Sequence, residues 1–137
     1  MASFIDTNIF IYAHDETNAQ KSKKARSLII DLIESNEACI STQVIQEFCN
    51  VALKKAVVPL KITDVKEIIT VLMSPLLSHQ PDLKFYSRAL KLYEQYSLNF
   101  YDALIIQAAI DLNCSVIYSE DLQNGTHYRK VKVVNPF

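Results

Sequence analysis

Asp6, Glu47, Asp102 and Asp121 each place a carboxylate where the local pattern is apolar. Asp6 ends the run Ala2-Ser3-Phe4-Ile5, and Asp121 follows Ser115-Val116-Ile117-Tyr118-Ser119 closely. Glu47 touches the apolar stripe of a predicted helix, and Asp102 opens a helix that is almost wholly apolar. Carboxylates brought together repel by about 4 kcal/mol per pair at about 4 Å and an effective dielectric of about 20. A fold that gathers them therefore needs a compensating charge, and a divalent cation is the natural one. Oxygen ligands without His or Cys at metal spacing suit Mg²⁺ or Mn²⁺ better than Zn²⁺. His14, His79 and His127 are scattered and read as surface or packing residues. A hard cation polarises phosphoryl oxygens and lowers the pKa of bound water, which is what in-line attack on a phosphodiester requires. Nuclease chemistry is the first expectation.

Each acid also has an ordinary reading. Asp6 can cap a helix beginning at Thr7, although it lies at the carboxyl end of a strand, where open α/β sheets hold their ligands. Asn8, two residues on, can orient a carboxylate through its amide. Glu47 can be a half-exposed helical Glu, but Gln43, Val44, Asn50 and Val51 at helical spacing offer it no basic partner. Asp102 can complete a capping box with Asn99, while its apolar neighbours argue for a pocket where a lone carboxylate is costly. Asp in a turn is commonplace, so Asp121 is weakest alone, and Glu120 beside it competes for any role. Four together are harder to dismiss.

The elements that must position these acids alternate between short β-like runs and helical periodicity, the pattern of an α/β domain with a mainly parallel sheet. Strands are expected at 2–5, 37–40, 76–78, 116–119 and 131–134. Helices are expected from Thr7 to Tyr12 and from Asn18 to Ser35, the latter burying Ala25, Leu28, Ile29, Leu32 and Ile33. Ser41 is the expected N-cap of a helix burying Val44, Ile45, Phe48, Val51 and Ala52. Thr63 is the expected cap of another, carrying Val65, Ile68, Ile69, Leu72 and Met73 and ending at Pro75. Pro81 to Tyr96 should turn Leu83, Tyr86, Leu90 and Tyr93 inward. Tyr101 to Leu112 is apolar nearly all round and should be the central buried helix. Asp121 to Arg129 reads as a polar turn around Asn124-Gly125. The expected fold is a three-layer αβα sandwich spanning residues 1–137 as one domain.

Composition narrows the function. With 137 residues and 50% hydrophobic content the chain can bury a core without staples. Its net charge of −1 argues against bulk electrostatic wrapping of nucleic acid. Lys21, Lys23, Lys24 and Arg26 form one local basic cluster, and Arg129, Lys130 and Lys132 another, compatible with an RNA partner without requiring one. The single glycine, Gly125, excludes GxGxxG, GxxxxGK[ST] and GxSxG, and with them dinucleotide, P-loop and α/β-hydrolase readings. Cys39, Cys49 and Cys114 lack CxxC spacing and read as buried thiols in a reducing compartment. No apolar run approaches the ~20 residues of a membrane span, so a soluble, cytoplasmic protein is expected.

Four segments together resemble the PIN-domain ribonucleases, most closely the VapC-type toxins and their single-domain relatives. Phe4-Ile5-Asp6-Thr7-Asn8 is similar to that family's opening strand and first acid, and the segment from Ser41 to Phe48 to its second-acid helix. Phe100-Tyr101-Asp102-Ala103-Leu104-Ile105 is similar to the third-acid helix. Tyr118-Ser119-Glu120-Asp121-Leu122 is similar to the loop bearing the fourth acid, with Glu120 as a departure from the commoner form. The resemblance extends to Val134-Asn135-Pro136-Phe137. It implies that Asp6, Glu47, Asp102 and Asp121 form a Mg²⁺- or Mn²⁺-binding pocket, supported by Thr7, Asn8 and Ser119. It further implies an endoribonuclease in which an activated water attacks phosphorus and the 3′ oxygen leaves. A homodimer and a cognate antitoxin are implied as partners.

Two other classes compete. A haloacid-dehalogenase-like phosphatase would use Asp6 as nucleophile, but needs a second acid where Asn8 stands. A receiver-type binding module needs paired early acids and a late Lys, and a PIN-like scaffold without activity would have no need of all four acids.

Overall fold

The computed structural model describes residues 1–54 and 60–137. Its strands are β1 (Ser3–Ile5), β2 (Ala38–Ser41), β3 (Leu77–His79), β4 (Val116–Tyr118), β5 (His127–Tyr128) and β6 (Val131–Val134). Its α-helices are α1 (Thr7–Ala13), α2 (Ala19–Glu34), α3 (Thr42–Lys54), α4 (Ile62–Glu67), α5 (Leu83–Tyr96) and α6 (Phe100–Asp111). The six strands lie in the order β3-β2-β1-β4-β6-β5. All neighbouring pairs are parallel except β5 with β6.

Central strands of a parallel sheet are covered on both faces, which is why β1 and most of β2 are continuously buried instead of alternating. The chain steps from β1 to β2 in one direction across the sheet and from β3 to β4 in the other. Right-handed crossovers then put the intervening helices on opposite faces. Accordingly α1 packs with α2 and α3, and α5 packs with α6. Phe4, Ile40 and Ile117 from the sheet, Phe10 and Phe48 from one group and Leu92 and Ile106 from the other are fully buried. The expected three-layer α/β arrangement is present.

The step reverses beside β1, between β1 and β4, where carboxyl ends of parallel strands leave a crevice. Asp6 N–H donates to Tyr118 O at 3.0 Å, so the two strands release their chains side by side. The two connecting segments carry Asp6 and Asp121.

Several elements differ from the sequence expectation. In α5 the inward residues are Phe85, Ala89 and Leu92, whereas Leu83 is 87% exposed and Tyr86, Leu90 and Tyr93 also face outward. Two adjacent apolar stripes run along this helix, so periodicity alone does not set its phase. Asp82 sets it by accepting from Phe85 N at 2.8 Å, and Phe85 then packs on the His79 ring with centroids 4.5 Å apart. Ile33, at the end of the α2 stripe, is likewise exposed. Thr63 is not a cap: α4 begins at Ile62, after Lys61, whose N–H donates to Asp64 Oδ2. The chain continues through a π-helical turn, Ile68–Met73, and a 3₁₀ turn, Ser74–Leu76, that holds Pro75. Ser41 ends β2 with its hydroxyl buried and unbonded, so it does not cap α3 through its side chain. The expected turn before Arg129 contains β5, a two-residue strand too short to carry a pattern. Arg129, at φ 55°, makes the tight return into β6.

Left-handed backbone also appears at Asn36, Ser97 and Asn113, each just beyond a helix. Cys39 and Cys114 are buried with their Sγ atoms 3.2 Å apart, and Cys49 is half-buried. No helix among the described residues is long and apolar enough to cross a membrane.

The phase of α5 is directly measurable. Leu92→Ala is expected to lower the unfolding free energy by about 2–5 kcal/mol, and Leu83→Ala to change it by no more than about 0.5 kcal/mol. Urea denaturation followed by circular dichroism separates the two, and the opposite order would put the outer stripe in the core.

Candidate active site

Asp6 is the N-cap of α1 and also the most connected acid. Its Oδ1 accepts from Thr7 N at 2.8 Å, and its Oδ2 accepts from Ser119 Oγ at 2.7 Å. Capping thus fixes one oxygen and leaves the other for the crevice side. Ser119 is fully buried and also receives the backbone N–H groups of Asp121 and Leu122 at 3.2 and 3.3 Å. One hydroxyl therefore joins the exit of β1 to the turn after β4.

Asn8 completes that join. Its Nδ2 donates to Asp121 Oδ2 at 3.1 Å and reaches Asp6 Oδ2 at 3.5 Å, and its Oδ1 accepts from Glu120 N at 3.1 Å. Thr7 reaches the other way, its Oγ1 donating to Glu47 Oε1 at 3.1 Å. Thr7 and Asn8 thereby connect Asp6, Glu47 and Asp121, which lie up to 115 residues apart in sequence. Asp102 sits in the first turn of α6, whose N-cap Asn99 accepts from Tyr101 N. No capping box closes, and the Asp102 carboxylate makes no hydrogen bond among the described residues.

Glu120 and Asp121 point to different partners. Glu120 pairs with Lys21, whose ammonium also lies over the Tyr12 and Phe137 rings. Burial alone would raise Glu120, but its bonds to Lys21 and Tyr12 prevail and hold it below the usual range. Asp121 instead turns to Asn8, and its charge acts on Asp6, Glu47 and Asp102.

The electrostatics of the acids follow from what surrounds them. Burial lifts the Asp6 carboxyl from 3.8 to about 6; the Ser119 and Thr7 bonds lower it, and the charges of Glu47 and Asp121 raise it. Burial also raises Glu47, moderated by Thr7 and Gln43 and reinforced by Asp102 and Asp121. Asp102 is raised by burial and then by Asp121. Among the described residues no basic side chain is ion-paired with any of these four acids. By contrast Asp111, on the same helix as Asp102, is held low: burial raises it, but Arg88, Gln107 and His79 outweigh that.

An all-oxygen donor set with no cation of its own suits a hard divalent ion. Among the described residues no group of three or more acid, His or Cys side chains is drawn close enough together to hold a metal ion. Gln43 belongs to the site as well: its Nε2 donates to Glu47 Oε1 at 3.4 Å and to Tyr101 O at 3.2 Å, tying α3 to α6. Its position four residues before Glu47 is the sequence signal for it.

A folded state that binds the Asp6 proton more tightly than the unfolded state is favoured at low pH. That contribution is full below the unfolded value of 3.8 and lost as pH rises through about 6. Its size is about 3 kcal/mol. Asp6→Asn in EDTA is therefore expected to gain about 3 kcal/mol over the original protein between pH 4 and pH 7, read by urea denaturation at each pH. A difference that stays constant with pH would show that Asp6 is not strained by its surroundings.

Comparison with known proteins agrees with this geometry at the level of fold. The structure is similar to one in a toxin-antitoxin complex from Klebsiella pneumoniae, with TM-score 0.70 and 17% identity over 99% of this chain and 98% of that one. VapC20 of Mycobacterium tuberculosis, described as a Sarcin-Ricin loop cleaving toxin, matches with TM-score 0.66 and 14% identity over 88% and 90% of the chains. VapBC2 of Rickettsia felis, bound to a DNA fragment from its promoter, matches with TM-score 0.66 and 18% identity over 97% of each. Comparison with curated proteins returns no match. The PIN domain family model matches residues 3–129, which include all four acids, Thr7, Asn8 and Ser119, and the chain belongs to the PIN domain family.

Proposed function

We propose that this protein is a metal-dependent endoribonuclease that hydrolyses RNA phosphodiester bonds. The observation that carries the reading is the set of four acids about the switch point, three of them held by neutral donors and none ion-paired with a basic side chain among the described residues. Mg²⁺ or Mn²⁺ bound there would neutralise them and supply Lewis-acid charge at the phosphoryl oxygens. Asp6, Glu47 and Asp121 are the acids that Thr7, Asn8 and Ser119 orient. We assign Asp102, whose carboxylate makes no hydrogen bond among the described residues, to take the proton of the attacking water.

The competing phosphatase and receiver readings lose their required groups. Asn8 acts as an amide bridge between two acids, not as a second acid. The late Lys of a receiver has no counterpart at the set, where no Lys among the described residues is ion-paired with any of the four acids.

The reading extends to the toxin of a toxin-antitoxin pair, supported by family membership and by similarity to toxin-antitoxin complexes. A homodimer belongs to the same reading, and we assign its contact to the outer face of α5. Leu83, Tyr86, Leu90 and Tyr93 make that face apolar and exposed, and a two-fold axis would bury the patch against itself.

Purified protein should cut cellular RNA with Mg²⁺ or Mn²⁺ and stop with EDTA. Asp6→Asn, Asp102→Asn and Asp121→Asn should each lower the rate by at least about a hundredfold, while Glu120→Gln should retain most of it. Cleavage indifferent to EDTA and to Asp6→Asn would sink the mechanism, and equal loss in Glu120→Gln would reverse the assignment of the fourth acid. In a bacterial host, expression should arrest growth in an Asp6-dependent way. Leu90→Lys is expected to convert a dimer to a monomer in sedimentation, and an unaffected dimer would move the contact elsewhere.

A further inference from the structure

Cys39 in β2 and Cys114, which follows α6, bring their Sγ atoms to 3.2 Å although they lie 75 positions apart in sequence. We propose that this pair is an oxidation site, a dithiol that a peroxide converts to a disulfide within the folded protein. The proposal is independent of the nuclease reading, because neither sulfur belongs to the acid set.

A buried cysteine commonly serves as a small apolar side chain, and packing accounts for the burial of both residues. It does not require the two sulfurs to face each other with no atom between them. Cys39 Sγ lies 3.5 Å from Ser3 O and 3.2 Å from Cys114 Sγ. A disulfide holds its sulfurs at about 2.05 Å, so closing the pair takes about 1.2 Å of movement shared between two side chains.

The contact also prepares the chemistry. The bond from the Cys114 thiol holds Cys39 below its usual value and outweighs burial, while that same bond and burial push Cys114 up. The pair as a unit thus gives up one proton more readily than the second. The deprotonated sulfur is the nucleophile. It attacks one oxygen of hydrogen peroxide, the O–O bond breaks, and the hydroxide released takes up the first proton as water. The attacking sulfur is now a sulfenic acid. The second thiol loses its proton, its sulfur attacks the sulfenic sulfur, and the hydroxide expelled takes that proton as a second water. Two thiols and one peroxide become one disulfide and two waters, the sulfurs losing the two electrons that the peroxide gains. A thiol reductant reverses the change by exchange.

Both residues are closed to bulk solvent, Cys39 at 5% and Cys114 at 3% exposed. The way in is the turn between α6 and β4, which borders a cavity of about 420 Å³ whose wall holds Asn113, Cys114, Ser115, Arg129 and Lys130. Local opening of that turn admits a water-sized oxidant without unfolding the sheet. The bond would tie β2, which runs into α3, to the joint between α6 and β4. Glu47 and Asp102 stand on those two helices and Asp121 follows β4, so oxidation pins the elements that carry these acids while touching none of them.

Thiol counting and peptide mapping test the site. Folded protein would be treated with hydrogen peroxide, denatured and alkylated. In Cys49→Ser, two alkylatable thiols should fall to none, a bridge should map between positions 39 and 114, and dithiothreitol should restore both thiols. In the original chain the same bridge should form, although Cys49 is nearer to Cys39 in sequence and is the partner an unfolded chain would close on most readily. The oxidised form should melt at least about 5 °C above the reduced one. Thiols that stay alkylatable, thiols lost to further oxidation without a bridge, a bridge between 39 and 49, or a lower melting temperature on oxidation each overturn the proposal. None of these measurements involves RNA or a metal, so the nuclease reading stands or falls apart from them.

Discussion

Carboxylates that face one another without a cation cost free energy, and much of this fold is arranged to hold such a set at the edge of its sheet. Burial raises Asp6, Glu47 and Asp102, and each also feels at least one neighbouring acid. The fold answers with dipoles in place of charges. Asp6 lies at the start of α1, Asp102 in the first turn of α6, and the amide and hydroxyl groups of Asn8, Gln43, Thr7 and Ser119 do the rest. Helix starts and neutral donors soften the repulsion without cancelling it. Full positive charges go elsewhere: Lys21 to Glu120 and Arg88 to Asp111. The contrast between compensated and uncompensated acids is what separates structural carboxylates from candidate ligands here.

That contrast also explains what could be read from the sequence. Asp6 and Asn8 were legible because strand ends in a parallel sheet share an edge, and an amide two residues after an acid can reach back, whereas Ser119 entered through the family resemblance alone. That Glu120 turns to Lys21 and Asp121 to Asn8 was not legible, because Lys21 lies some hundred residues away in the chain and is adjacent only after folding. Periodicity placed α6 correctly, since a helix apolar all round has no phase to mistake. It misassigned the inward face of α5, where two apolar stripes compete and the capping bond from Asp82 decides. Ser41 read as a cap because its type and position were right, and only burial reveals that its hydroxyl is idle.

Edge and wall divide the labour in this architecture. Acids at the sheet edge are positioned by topology and by bonds from Thr7, Asn8 and Ser119, so their places are tied to those of the elements that carry them. The wall built by α3, α5 and α6 carries side chains such as Phe100, Tyr101 and Gln46 that the core does not need. Side chains can change there without disturbing the core, and the fold is shared with solved structures at 14–18% identity.

The left-handed residues at Asn36, Ser97, Asn113 and Arg129 do work that glycine does in most chains, leaving Gly125 as the sole glycine. Each side chain at such a position carries some local strain in the folded molecule. In the unfolded chain the same side chains narrow the range of conformations that folding must surrender. At positive φ the native strain of a side chain outweighs that gain, so these four turns cost the folded state stability that glycine would have kept. What they return is definition, because each chain reversal has fewer conformations open to it than a glycine would allow.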